Sequence, residues 1–181
     1  MRRLILQTSM SIDGYVAALD RSHPWNDGGG GDDAVKRWIL DSVRGAGAHL
    51  MGRVTYEEMA SVWPTSTSDY AGPMNEIPKV VFSNSLTSAD WGDATIATGD
   101  LTEAVTRLKQ ERSDGYLLAL GGTRFARSLV ETGLIDEYRL VVHPVVLGAG
   151  ERLFTAPLTI EPISTTAFSG GAVAHVFAAR P

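Results

Sequence analysis

Cysteine is absent from the 181 residues. That absence removes disulfides, thiolate nucleophiles and cysteine-ligated zinc or iron–sulfur centres together. It suits a reducing, cytoplasmic setting, which is the expected location. Long apolar runs are absent too. Arg2-Arg3 is followed only by Leu4-Ile5-Leu6 before Gln7-Thr8-Ser9, too short for the hydrophobic region of a secretory leader. No stretch approaches the roughly eighteen residues of a membrane span. Basic charge is scarce: 16 Lys and Arg against 21 Asp and Glu leave −5, with no basic cluster beyond Arg2-Arg3. A surface that tracks a nucleic-acid backbone is therefore not expected. Neither a phosphate P-loop nor a G-x-S-x-G elbow occurs. His23, His49, His143 and His175 never fall at H-x-x-x-H spacing, so no metal site is expected. What remains is a chain that meets small molecules rather than membranes or nucleic acid.

Hydrophobic residues make up 44% and charged residues 20%, an ordinary globular balance, and no linker divides the chain. Residues 1–181 read as a single domain. Apolar runs alternate with helical patterns. Strands are expected at Arg3 to Met10, with Tyr15 to Leu19 continuing it after a bend, and at Ala48 to Met51. Further strands are expected at Lys79 to Ser83, Ala94 to Ala97, Tyr116 to Leu120 and Tyr138 to Leu147, the last interrupted or bulged at Pro144. Helices are expected from Asp32 or Asp33 to a left-handed stop at Gly45, over Val54 to Met59, after the capping box at Asp100, and over Phe125 to Glu131. Trp63 to Ile77, with Pro64 and Pro73, reads as irregular. Ile160 to Phe168 and Ala172 to Ala179 read as a closing hairpin. The alternation predicts an α/β fold, with a mixed, mostly parallel sheet, helices on both faces and antiparallel strands at the end of the chain.

Two segments share one chemistry. In Leu50-Met51-Gly52-Arg53-Val54-Thr55 a strand runs into glycine and a helix follows. Leu118-Ala119-Leu120-Gly121-Gly122-Thr123-Arg124-Phe125 repeats the design. Free N–H groups at a helix start favour phosphate, and glycine lets it approach the backbone. Alone, each reads equally as a tight turn. Together they open on the same edge of a parallel sheet, where ligands bind. Gly29 to Ala34 also fits G-x-G-x-x-A, but no strand precedes it, and it reads as a loop.

These segments, with Ser11-Ile12-Asp13-Gly14-Tyr15-Val16-Ala17, Leu134 to Leu140 and Pro144 to Gly150, give the chain its resemblance to the dihydrofolate-reductase-like superfamily. The nearer resemblance is to the C-terminal reductase domain of the bifunctional riboflavin-biosynthesis deaminase–reductase. The resemblance implies about eight strands and NADPH as hydride donor. It places Gly52, Arg53, Val54 and Thr55, and Gly121, Gly122, Thr123, Arg124 and Phe125, around the cofactor phosphates. Arg53 would read the 2′-phosphate. Ser83 and Asn84 would lie beside the adenosine, and Val16 and Ala17 at the nicotinamide. Asp13 is the candidate proton donor, or else a turn stabiliser. Tyr15, Trp38, Trp63 and His143 are candidates for a substrate pocket, or for the core. The expected activity is NADPH-dependent reduction of a small heterocycle, similar to that of 5-amino-6-(5-phosphoribosylamino)uracil reductase. A dihydrofolate or pterin reductase, and a dinucleotide-binding module without catalysis, stay open beside it. Homodimers are common among riboflavin-type relatives, so a homodimer is also an expectation.

Overall fold

Leu4, Ile5 and Leu6 are all fully buried, so the first strand has protein on both faces. That is the signature of a parallel sheet covered on each side, and it explains why strands here read as continuous apolar runs. The computed structural model describes residues 1–25 and 32–180, which leaves the glycine-rich stretch over 26–31 outside the described residues. Eight strands form the main sheet. They are β1 (Leu4–Ser11), β3 (Ala46–Gly52), β4 (Lys79–Phe82), β5 (Ala94–Ala97), β6 (Tyr116–Leu120), β7 (Glu137–His143), β9 (Ile160–Ala167) and β10 (Val173–Ala179). Their order is β5-β4-β3-β6-β1-β7-β10-β9. The strands from β5 to β7 run parallel, and the β9–β10 hairpin joins β7 antiparallel. Two short strands, β2 (Tyr15–Ala17) and β8 (Glu151–Arg152), pair as a separate ribbon.

The helices are α1 (Asp33–Arg44), α2 (Arg53–Val62), α3 (Ala71–Glu76), α4 (Leu101–Gln110) and α5 (Thr123–Thr132). On one face Leu4, Leu6, Leu50, Leu117 and Ala119 pack with Val105 of α4 and Leu129 of α5. On the other, Ile5, Met51 and Leu118 pack with Val43 of α1, Tyr56 of α2 and Met74 of α3. Aspartates cap two helices as their spacing predicts. Asp32 accepts from the Ala34 N–H at 2.9 Å, and Asp100 from the Glu103 N–H at 2.9 Å. No described helix is long and apolar enough to cross a membrane.

Several expectations are corrected. Tyr15 to Leu19 does not extend the first strand, because β2 leaves the sheet to pair with β8, too short to carry a pattern. Gly45 is not left-handed, with φ −77°. Glycine is needed there because a Cβ would lie 2.7 Å from the Tyr116 hydroxyl. The 63–77 stretch holds a 3-10 turn at Trp63–Thr65 and α3. The strand expected over Tyr138 to Leu147 is interrupted at Pro144 as its proline predicts, stopping at His143, because Pro144 has no N–H to donate to a ladder.

Candidate functional site

β3 and β6 are parallel neighbours, so their C-terminal ends deliver α2 and α5 side by side. The two junctions interlock. Gly122, at φ +73°, lies where a Cβ would meet Thr55 Oγ1 at 2.6 Å. A Cβ on Gly52 would meet the Phe125 Cβ at 3.2 Å. Each helix start therefore packs a side chain onto the other junction's glycine. Neither α2 nor α5 has a side-chain cap or an acid in its first turn, whereas α1 and α4 carry capping aspartates. The first-turn N–H groups of α2 and α5 therefore have no side-chain cap and could meet a ligand.

A cleft of about 420 Å³ lies across these starts, walled by Gly52 to Thr55, Gly122 to Phe125, Phe82 and Ala17. Phe82 and Phe125 stack with centroids 5.0 Å apart. Arg21, Arg53 and Arg124 line it against Glu58 and Glu151. Arg53 spends Nη1 on both oxygens of Glu57, at 3.1 and 3.0 Å. Arg21 stands at φ 69°, in a turn where the Arg21 N–H donates to the Ala18 carbonyl. A non-glycine residue in that region carries backbone strain, which gathers at binding sites.

A second cavity of about 220 Å³ adjoins the first and shares His23, Gly122 and Thr123 with it. Its walls include Val16, Ile39, Met59 and Leu120, with Gln7, Thr8 and Ser9 from β1 and Trp25 from the loop before α1. Gln7 is 95% buried, yet among the described residues its Oε1 has no hydrogen-bond partner. A buried acceptor without a partner is costly, and it lies in a residue that lines the cavity.

The structure brings Val16, Ala17, Gly52, Arg53, Val54, Thr55, Gly121, Gly122, Thr123, Arg124 and Phe125 to these two cavities. Thr123 does not cap α5, since it is already the first helical residue. Ser83 and Asn84 follow β4 at the same rim but line neither cavity. Ser83 Oγ accepts from the Ser85 and Leu86 N–H groups, and Asn84 Oδ1 from Gly99. Asp13 is not fitted to be a proton donor. Its carboxylate accepts from the Leu147 N–H at 3.1 Å and the Gly148 N–H at 2.8 Å. The Ser11 hydroxyl and these amides hold its pKa down at about 2. Tyr15 clamps the ribbon instead of walling a pocket, because Arg152 lies 4.3 Å over its ring and donates to its hydroxyl. Trp38 packs beside Val141 and Ala174, and Trp63 stacks on Tyr70 at 6.0 Å. His143 sits just behind the second cavity, its Nε2 3.2 Å from Ser9 Oγ. The sequence reading missed Gln7, Arg21, His23 and Trp25. The signal for Gln7 was there: it is a polar residue directly after three buried apolar ones.

The sequence matches the family described as the RibD C-terminal domain over residues 2–174, and the chain belongs to that family. It is 30% identical to the uncharacterized protein YwjB of Bacillus subtilis (strain 168), over 84% of this chain and 83% of that one. It is 26% identical to the uncharacterized protein YyaP of the same organism, over 97% and 94%. Among solved structures, a putative riboflavin biosynthesis protein from Shewanella sp. PV-4 superposes with a TM-score of 0.76 at 20% identity, covering 100% of both chains. The deaminase/5-amino-6-(5-phosphoribosylamino)uracil reductase of Thermotoga maritima gives 0.69 at 15% identity, over 99% of this chain and 57% of that one. Dihydrofolate reductase from Enterococcus faecalis, complexed with NADP(H), gives 0.66 at 11%, over 99% and 97%. The fold is dihydrofolate-reductase-like.

Proposed function

We propose that this member of the RibD C-terminal domain family is an NADPH-dependent reductase of a small, flat heterocycle, similar to 5-amino-6-(5-phosphoribosylamino)uracil reductase. The observation that carries this reading is the joined pair of cavities. A cleft with two uncapped helix starts suits a pyrophosphate, and it adjoins a smaller chamber lined in part by Gln7. Family membership supports the reductase class.

The donor set fits a dinucleotide phosphate. N–H groups at Arg53 to Thr55 and Thr123 to Phe125 would hold the pyrophosphate, and Arg53, its Nε and Nη2 bonded to none of the described residues, would read a 2′-phosphate. Ala17 lines the first cavity and Val16 the second, which puts β2 at the boundary where a nicotinamide would lie. The cofactor, when bound, supplies the hydride. The chain's own work is to fix the two rings in contact, exclude water through Val16, Trp25 and Met59, and deliver a proton.

The test is NADPH oxidation with 5-amino-6-(5-phosphoribosylamino)uracil and with dihydropterin. Turnover with either supports the reading, and tight NADPH binding without turnover of any flat heterocycle replaces it with a binding module. Arg53→Ala is expected to cut the preference for NADPH over NADH by about 10- to 100-fold, the worth of one charge-assisted contact. An unchanged preference removes Arg53 from the phosphate.

A further inference from the structure

Reducing a C=N bond adds a hydride to carbon and a proton to nitrogen. The proton needs a source near the second cavity, and Asp13, held ionised and bonded to two amides, is not one. His23 is the one ionisable side chain on the described wall of that cavity, and it is exposed. Behind the wall stands another group. Ser9 lines the cavity from β1, and its Oγ lies 3.2 Å from Nε2 of His143, the last residue of β7. One face of that imidazole is covered by Trp25, itself in the cavity wall, stacked at 5.4 Å and 9°.

We propose that Ser9 and His143 form the proton path of the reduction: Ser9 gives its hydroxyl proton to the substrate nitrogen and is resupplied by His143 through Nε2. The proposal rests on the reductase reading. The balance is complete. A reduced nicotinamide, when bound, would supply the hydride with its electron pair to the substrate carbon and be oxidised in turn. Ser9 Oγ loses one proton to nitrogen and takes one from the imidazolium, which recharges from solvent. Ser9 is the catalytic residue in this scheme, and His143 acts through it.

The surroundings of His143 suit the task. Ser9 and Ser11 face it from β1, Trp25 lies on the ring with His23 behind that indole, and Pro144 follows it in the chain. No carboxylate among the described residues bonds it. Burial alone lowers its pKa from the ordinary 6.5, which makes the protonated ring a readier donor. Trp25 holds the ring against turning away from Ser9.

The experiment is a single-turnover pH profile with NADPH and 5-amino-6-(5-phosphoribosylamino)uracil or dihydropterin, on the wild type, Ser9→Ala, His143→Gln and His23→Gln. The wild-type rate is expected to climb as pH falls through a midpoint below 6.5. Ser9→Ala and His143→Gln should each lose that rise and slow the step by about 100-fold, with the double variant no slower than either single. NADPH affinity, measured alongside, shows that the variants are folded. The His143 imidazole nitrogen resonances, followed by NMR, should move on Ser9→Ala. A pH rise that survives His143→Gln, or that His23→Gln alone abolishes, overturns the path and leaves the reductase reading standing. A wild type that turns over no flat heterocycle overturns the reading itself.

Discussion

Asp13 spends its charge on architecture. Its carboxylate joins the turn after β1 to the Leu147-Gly148 loop, which fixes the ribbon that borders both cavities. Its pKa lies near 2 rather than the ordinary 3.8, so the folded state favours the ionised form. That contribution to stability is fully present above 3.8 and fades as pH falls through about 2. Asp13→Ala should therefore lower the Tm at neutral pH, and the gap to wild type should close between about pH 4 and 2. A gap that stays constant across that range, followed by thermal melts, assigns the loss to packing. Gln7 behaves in the opposite sense. Gln7→Leu removes a buried acceptor with no partner among the described residues, so the Tm should hold or rise, while affinity for a heterocycle in the second cavity falls by about 10- to 100-fold. Titration calorimetry beside a melt separates the two effects, and a lower Tm with unchanged affinity assigns Gln7 to the core. At this scale the sequence is half legible. Arg53 and Thr55 draw notice from the glycine that opens their helix and Val16 from the family resemblance, and all three line the cavities, whereas for Asp13 the sequence leaves proton donor and turn stabiliser open side by side. Its partners lie 134 and 135 residues away, and no local pattern reports a bond across that distance.

The two glycine junctions act as one element. Thr55 of α2 occupies the space over Gly122, and Phe125 of α5 the space over Gly52. A side chain at either glycine must displace the opposing helix start. Gly122→Ala sets a Cβ 2.6 Å from Thr55 Oγ1 on a backbone at φ +73°. It should cost about 1–3 kcal/mol of stability and weaken NADPH binding as well. Pairing it with Thr55→Ala removes the clash and keeps the backbone strain, so the double variant should recover part of the loss and the two changes should fail to add. Strict additivity in denaturant unfolding would mean that the junctions are independent. Elements of this kind are the legible part of the fold. β6 falls at Tyr116–Leu120 as its apolar run predicts, and α4 starts at the Asp100 cap. What stays hidden is short or paired at a distance. β8 has two residues, and its strand pairing is with β2 at the far end of the chain. α3 has six residues, too few for a helical period to register. Trp25 gives no sign in a proline-containing loop that it will stack on His143 from another part of the chain.

Across the whole molecule, one edge of the sheet collects pieces from the full length of the chain. Val16, Trp25, Thr55, Phe82, Phe125 and Glu151 come from β2, the loop before α1, α2, β4, α5 and β8, and all border the two joined cavities. Parallel strands make this possible, because successive C-terminal ends return to the same rim. A ligand lying across that rim ties these elements together in the folded state, and the unfolded chain has no equivalent site. Its binding energy therefore appears directly as stability. At a concentration of about 100 times its Kd, NADPH should add about 2.7 kcal/mol. For a domain of this size that corresponds to a Tm rise of about 5 to 11 °C. NADH at the same concentration should give a smaller rise, and the difference should shrink in Arg53→Ala if that guanidinium meets the 2′-phosphate as proposed. A thermal melt in which neither coenzyme moves the Tm would separate the two helix starts from any dinucleotide, however well their glycines interlock.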